Sequence, residues 1–148
     1  SLIDGFNALA HVRPPLRSEQ DKQQLRQAVK DGVIDAICTH HEPLSSSAKM
    51  APFAETQPGL TAFDTYIPFG IQLIEEGLFT PLEWVEKVTL APAKVAHMAE
   101  KWQQEAGLVL IDPTVVWTAD KQSIVSHGKN TPLINRQVKG KVLRTFTA

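Results

Sequence analysis

The chain has 148 residues, 15 Lys and Arg against 16 Asp and Glu, a formal net charge of −1 and 43% hydrophobic residues. That length suits one domain with a real core, and the balanced charge speaks against nucleic-acid binding, which goes with a basic excess. No apolar run approaches the ~20 residues of a membrane span. The lone Cys38 excludes a disulfide framework, so the expected setting is reducing and cytoplasmic. The opening Ser1-Leu2-Ile3-Asp4-Gly5 has neither the basic nor the apolar region of a secretory signal, and none is expected.

The first segment, to Arg17, is irregular and stiffened by Pro14-Pro15. Ser18-Glu19-Gln20-Asp21 then sets a hydroxyl cap and early acids before Leu25, Ala28 and Val29. Acids face the positive end of a helix dipole, so a surface helix is predicted over 18–30, closed by Gly32. The run Val33-Ile34-Asp35-Ala36-Ile37-Cys38-Thr39 is short and mostly apolar, the pattern of a strand covered on both faces in a parallel sheet. It empties into His40-His41-Glu42-Pro43 and a loop over 44–59. That loop is longer than an ordinary connection and sits where α/β folds keep their chemistry.

Residues 60–76 carry Phe63, Ile67, Ile71 and Ile74 at helical spacing, with Pro68 as a kink or break and Gly77 as the stop. Thr80-Pro81-Leu82-Glu83 is a capping box with proline at the first helical position, and Leu82, Val85 and Val88 are the expected inner stripe. A last helix is predicted from Pro92 through Val95 towards Trp102. Beyond Gly107 the period changes. Residues 108–113 and 115–117 read as strands, and 139–146 alternate like a terminal one. The chain is therefore α/β first and β last.

Several of these strings, in this order and spacing, resemble a dihydroorotase of the amidohydrolase superfamily. They are Arg13-Pro14-Pro15-Leu16-Arg17, Ile34-Asp35-Ala36-Ile37-Cys38-Thr39 with His40-His41-Glu42-Pro43, Pro58-Gly59-Leu60, and Ala91-Pro92-Ala93-Lys94. Leu108-Val109-Leu110-Ile111-Asp112-Pro113, Lys129-Asn130-Thr131-Pro132 and Lys139-Gly140-Lys141-Val142 complete the set. The resemblance implies a distorted (β/α)8 barrel with a divalent metal, usually zinc, and a small β-domain. It also implies reversible cyclisation of carbamoyl-aspartate to dihydroorotate. A whole barrel of this kind needs ~250 residues. The expectation is thus a C-terminal fragment of such a barrel over 1–102, followed by strands of the small β-domain over 103–148. The His-x-His metal ligands would lie upstream.

The family pattern breaks at its working positions. Its last barrel strand ends Thr-Asp-His-Ala-Pro-His, where the Asp binds metal and takes the proton from the activated water. Here that position is His40, and the family's substrate-binding second histidine is Leu44. The Asn of the family's Asn-Pro-Pro-Leu-Arg, which contacts substrate, is Arg13. Gly59 matches a turn that lies beside substrate in the family. No catalytic and no metal-ligating residue is assigned to this chain, and zinc is expected only if the whole protein is active.

The bland readings weigh against sharper ones elsewhere. Neighbouring His40 and His41 should point to opposite sides of a strand, so one ion would not take both. His41 reads as a packing residue and Cys38 as a buried, inert thiol. His11, His97 and His127 share no ligand spacing. The leading expectation is a non-catalytic dihydroorotase-like protein, since the resemblance extends to inactive homologues that assemble with aspartate carbamoyltransferase. The alternative is an active metal-dependent dihydroorotase or related cyclic amidohydrolase in which His40 replaces the Asp. A binding fold for some other ring-shaped ligand is the third. The expected contacts are the upstream part of its own barrel and the carbamoyltransferase, without nucleic acid or membrane. Part of a barrel should also leave large apolar side chains uncovered.

Overall fold

The computed structural model describes residues 5–105 and 107–147. The elements in chain order are α1 (Glu19–Lys30), α2 (Phe63–Glu75), α3 (Pro81–Val88), α4 (Leu90–Val95), α5 (Ala99–Glu105), β1 (Leu108–Thr118) and β2 (Gln137–Phe146). Short 3-10 turns occur at Ala8–Ala10, Ser46–Lys49 and Phe53–Glu55. They fall into two compact units. One gathers Ser1–Arg17, Thr39–Tyr66 and Val116–Val138, and the other Ser18–Cys38, Ile67–Val115 and Lys139–Ala148.

In the second unit the helices start and stop as their sequences dictate. Asp21 N–H donates to the Ser18 hydroxyl at 3.1 Å, and the Asp21 carboxylate returns a bond to Ser18 N–H, closing a capping box on α1. Thr80 and Glu83 do the same for α3, with Pro81 at its first position. Gly32 (φ +75°) and Gly77 (φ +74°) end α1 and α2. Each is followed by a residue whose N–H reaches back five positions, Val33 to Ala28 and Leu78 to Leu73, which is the Schellman closure.

The helix expected from Pro92 to Trp102 is in fact two, α4 and α5. The break is a third Schellman closure: His97 takes φ +55° and Met98 N–H donates to the Ala93 carbonyl at 2.8 Å. The expected inner stripe of α3 is also displaced. Leu82 is 78% exposed and Val85 is exposed too, whereas Trp84 is only 5% exposed. The indole is the largest apolar group on the helix, and it lies flat over Gly70, where a Cβ would come within 2.2 Å of it. On this chain alone the larger apolar surface is the one buried.

The expected buried strand over 33–39 does not form. Residues 35–40 belong to no helix and no ladder, and β1 pairs with β2 alone. A strand exists only where a neighbour completes its hydrogen bonds, and among the described residues none lies alongside. Instead Ile37 N–H donates to the Lys87 carbonyl at 2.9 Å, and Lys87 Nζ donates to the Ile34 carbonyl at 3.1 Å. Cys38 is accordingly exposed rather than buried.

The two strands read from the sequence at 108–113 and 115–117 are one continuous β1, and β2 covers the predicted terminal strand. They run antiparallel: Gly107 lies against the Phe146 carbonyl, and Ala119 N–H donates to the Arg136 carbonyl at 2.9 Å. Leu108, Val109 and Leu110 are consecutive, point to alternate faces and are all exposed. Val33, Leu82 and Val95 are exposed as well.

The core of the first unit is largely polar. Thr61, Thr65, Asn130 and Thr131 are buried beside Ala10, Ala62, Ala119 and Ile124. Among the described residues every buried side-chain nitrogen and oxygen has a hydrogen-bond partner, as burial of polar groups requires. No helix of the described residues is long and apolar enough to cross a membrane.

Candidate functional site

The family-matched positions all fall in the first unit, on three stretches of chain that side-chain amides and hydroxyls tie together. Asn130 is the central tie. Its Oδ1 accepts Leu44 N–H at 2.8 Å, and its Nδ2 donates to the Glu42 carbonyl at 3.0 Å. The Thr61 hydroxyl lies 2.7 Å from the same Oδ1 and 2.8 Å from the Gly128 carbonyl. With one proton it donates to one acceptor at a time. Backbone bonds from Thr61 to Asn130 and from Glu42 to Leu60 close the frame.

Two glycines permit this close packing. A Cβ on Gly128 would sit 2.5 Å from Leu44 N, so only glycine lets the 43–44 backbone pass there. Gly59, at φ +150°, faces Leu44 and Glu42: a Cβ would stand 2.9 Å from Leu44 Cδ1 and 3.2 Å from the Glu42 carbonyl oxygen. Leu44 and Gly59 are therefore brought into contact. Gly59 N–H also donates to the His11 carbonyl at 3.0 Å, which ties the segment leading to Arg13 to the same turn.

His40 has φ +45°, and its exposed ring carries Nδ1 3.7 Å from the Glu42 carboxylate. That separation allows an ion pair when the ring is protonated but is too long for a hydrogen bond. His41 does more than pack. Its Nδ1 accepts the N–H groups of Ala62 and Phe63 at 3.0 and 3.2 Å, and its ring stacks on Phe63 with centroids 4.1 Å apart. It thus caps the start of α2 from 21 residues away in sequence, and the proton of the neutral ring sits on Nε2.

Arg13 is elsewhere. It borders a cavity of about 440 Å³ with His11 and Phe53, whose rings stack at 4.6 Å. Leu44 borders a different cavity, of about 480 Å³. Neither cavity is lined by His40 or Gly59. So the structure joins Leu44 to Gly59, leaves His40 on the surface beside Glu42, and sends Arg13 to a separate depression.

A zinc ion does not fit the described residues by themselves. His41 has committed Nδ1 to backbone, and His40 has only Glu42 as a potential co-ligand. No group of three His, Cys, Asp or Glu able to hold a metal occurs among them.

Sequence reasoning missed three residues here. Lys49 is buried, and its Nζ donates to the His11 and Gln57 carbonyls at 3.0 and 2.7 Å. Burial pushes its pKa down, with the Glu42 carboxylate pulling the other way. Asp64 takes Val125 N–H and the Ser126 hydroxyl, pinning the 124–126 loop to the start of α2. Asn130 was visible only as part of Lys129-Asn130-Thr131-Pro132. A polar residue flanked by turn formers was the one available sign that it would be buried and bonded.

No protein-family profile matches the chain. It is 37% identical over 145 residues to a dihydroorotase-like protein of Pseudomonas aeruginosa, covering 96% of this chain and 34% of that protein. It is 33% identical over 147 residues to a dihydroorotase of Syntrophus aciditrophicus, covering 97% of this chain and 34% of the relative. Among solved structures, a D-hydantoinase matches with a TM-score of 0.79 at 22% identity, over 94% of this chain and 32% of that one. The L-hydantoinase of Arthrobacter aurescens matches with a TM-score of 0.79 at 21% identity, over 92% and 32%. The chain spans about a third of the length of the relatives it matches and shares the fold of a corresponding third of a hydantoinase. Over nearly all of its own length it is similar, at 33–37% identity, to these two proteins named dihydroorotase or dihydroorotase-like.

Proposed function

We propose that the chain is the C-terminal part of a dihydroorotase-like protein of pyrimidine synthesis that has lost catalysis and serves as a structural partner of aspartate carbamoyltransferase. The observation that carries this reading is Leu44 against Gly59. In the family a histidine at the first position holds substrate beside the glycine turn at the second. A leucine there offers no hydrogen bond and fills the space with methyl groups.

The chemistry at His40 points the same way. The family's carboxylate both touches the metal and takes the proton, and losing a general base alone costs ~10²–10⁴ in rate. Arg13, the third changed position, adds a loss of substrate positioning. These losses need not multiply, because residues acting as a unit are not additive. The frame around them is kept: the Asn130 tie, the Ser18 and Thr80 caps and the His41 cap are all made. Two relatives at 37% identity, from Pseudomonas aeruginosa and Pseudomonas putida, are themselves named dihydroorotase-like.

In this reading residues 1–102 complete the barrel, residues 103–148 supply strands of the small β-domain, and the exposed Val33 and Leu82 face the upstream part of the same barrel. Zinc would accompany only an active whole protein, and the setting is cytoplasmic. The test is to assay the whole protein for cyclisation of carbamoyl-aspartate and to co-purify it with the carbamoyltransferase of the same cell. No turnover, with co-elution of the two proteins, is expected, and His40→Asp should not restore activity. Robust turnover would overturn the non-catalytic reading in favour of a hydrolase using His40, and failure to associate would remove the partner role.

A further inference from the structure

We infer that the first unit carries a binding site for a small amphipathic anion, an oxyanion head group on an apolar body, in the cavity beside the 44–50 loop. This inference does not depend on whether the protein is catalytic. The cavity measures about 480 Å³, within the range of small-molecule pockets and roomy enough for a ring with a charged substituent. Leu9, Met50 and Ile134 give it apolar walls. Lys121 and Lys129 give it a cationic one, with the His127 imidazole beside them, and no carboxylate lines it.

Among the described residues the two ammonium groups are not neutralised. Among the described residues none of the three forms an ion pair. Lys129 Nζ donates to the Ile124 carbonyl, which leaves N–H groups for another acceptor. Among the described residues Lys121 and His127 have no partner for their side chains. The acids nearest in sequence are engaged otherwise. The Asp120 carboxylate accepts the N–H groups of Gln122 and Ser123, and Asp64 accepts Val125 N–H and the Ser126 hydroxyl. Lys49 adds a further cation to the lining, anchored by its bonds to two carbonyls.

The two stretches that form the walls are not free loops. Asn130 bonds to Leu44 N–H, and Thr61 bonds to Asn130 and Gly128. Like charges held together around a cavity repel one another, and an anion converts that repulsion into attraction. Charge-assisted hydrogen bonds from ammonium and imidazole then fix the head group while the apolar walls take the body.

The experiment is a titration of the purified protein at low salt, followed by backbone amide NMR, with phenyl phosphate, benzoate, inorganic phosphate and benzyl alcohol. Saturable binding of phenyl phosphate or benzoate is expected, with shifts at residues 44–50 and 121–130. The stronger of the two identifies the head group as phosphate or carboxylate. Inorganic phosphate lacks the apolar body and benzyl alcohol lacks the charge, so each should bind roughly tenfold more weakly. The Lys121→Gln/His127→Gln variant removes two groups that support nothing else in the fold. It should melt as the parent does and lose about tenfold in affinity. Absence of saturable binding by both aromatic anions, or affinity unchanged in that variant, would overturn the site.

Discussion

Asn130 holds Leu44 by its backbone, not its side chain: Oδ1 accepts Leu44 N–H at 2.8 Å while Nδ2 donates to the Glu42 carbonyl at 3.0 Å. The tie joins residues 86 positions apart and leaves the side chain at 44 without a role in it. At Leu44 the tie is made by main-chain groups, so the side chain there takes no part in it.

Replacing Asn130 by Ala leaves Leu44 N–H and the Glu42 carbonyl without their partner, in a residue position only 3% exposed. Each orphaned buried group costs about 1–3 kcal/mol. A loss of about 3 kcal/mol is expected in urea unfolding, against less than half of that for Asn135→Ala on the exposed turn. Equal losses for the two would contradict the tie.

The Glu83 carboxylate lies below its ordinary value near 4.5, chiefly because it accepts Thr80 N–H and then the Thr80 hydroxyl. A lowered carboxylate pKa means that the folded state favours the charged form. The stabilisation is present above the unfolded value and is lost as pH falls through the lower, folded one. Melting temperature measured from pH 6 downward should therefore fall less steeply in Glu83→Gln than in the parent. Parallel curves would show that the cap carries no charge-dependent stability.

The parts of the fold that were legible are those governed by local chemistry. Ser18 and Thr80 announce helix starts because their hydroxyls meet N–H groups three residues away, and Gly32 and Gly77 announce stops because the closing residue needs positive φ. The stop at His97 uses the same geometry without the glycine, so α4 and α5 read as one helix. The run 33–39 has the composition of a strand, but a ladder partner is a property of the surroundings and not of the run. The candidate site was legible as positions and not as an arrangement. The strings bearing Arg13, His40, Leu44 and Gly59 could be aligned, but nothing in them told that Arg13 borders one cavity and Leu44 another. The capping of α2 by His41 spans 21 residues, beyond any local pattern.

His97→Gly should stabilise the protein. A left-handed conformation costs an L-residue ~1–2 kcal/mol, whereas glycine adds only ~0.4–1 kcal/mol of unfolded-state entropy. With φ at +55° and the Met98 to Ala93 closure already made, the difference favours glycine by about 0.5–1 kcal/mol. Chemical denaturation of the variant and of His97→Ala checks it, since alanine keeps the strain. A glycine variant no more stable than the alanine one would rule out strain at this position.

The contact of Leu44 with Gly59 can be measured by a double-mutant cycle. Gly59→Ala carries two costs: a backbone at φ +150°, a region that L-residues seldom enter, and a Cβ 2.9 Å from Leu44 Cδ1. The first belongs to Gly59 alone and stays whatever stands at 44. The second involves the tip of a flexible side chain and disappears in Leu44→Ala. Leu44→Ala by itself loses the packing of its methyl groups against the turn. The double variant should therefore be less destabilised than the two single ones together, by about 1 kcal/mol, the size expected for residues in direct contact. The Glu42 carbonyl, 3.2 Å from the same Cβ, is main chain and cannot withdraw, so part of the Gly59→Ala penalty must survive in every background. Urea unfolding of the parent, both single variants and the double gives all four values. Strict additivity would mean that Leu44 does not fill the space at Gly59, and the observation on which the non-catalytic reading rests would then be lost.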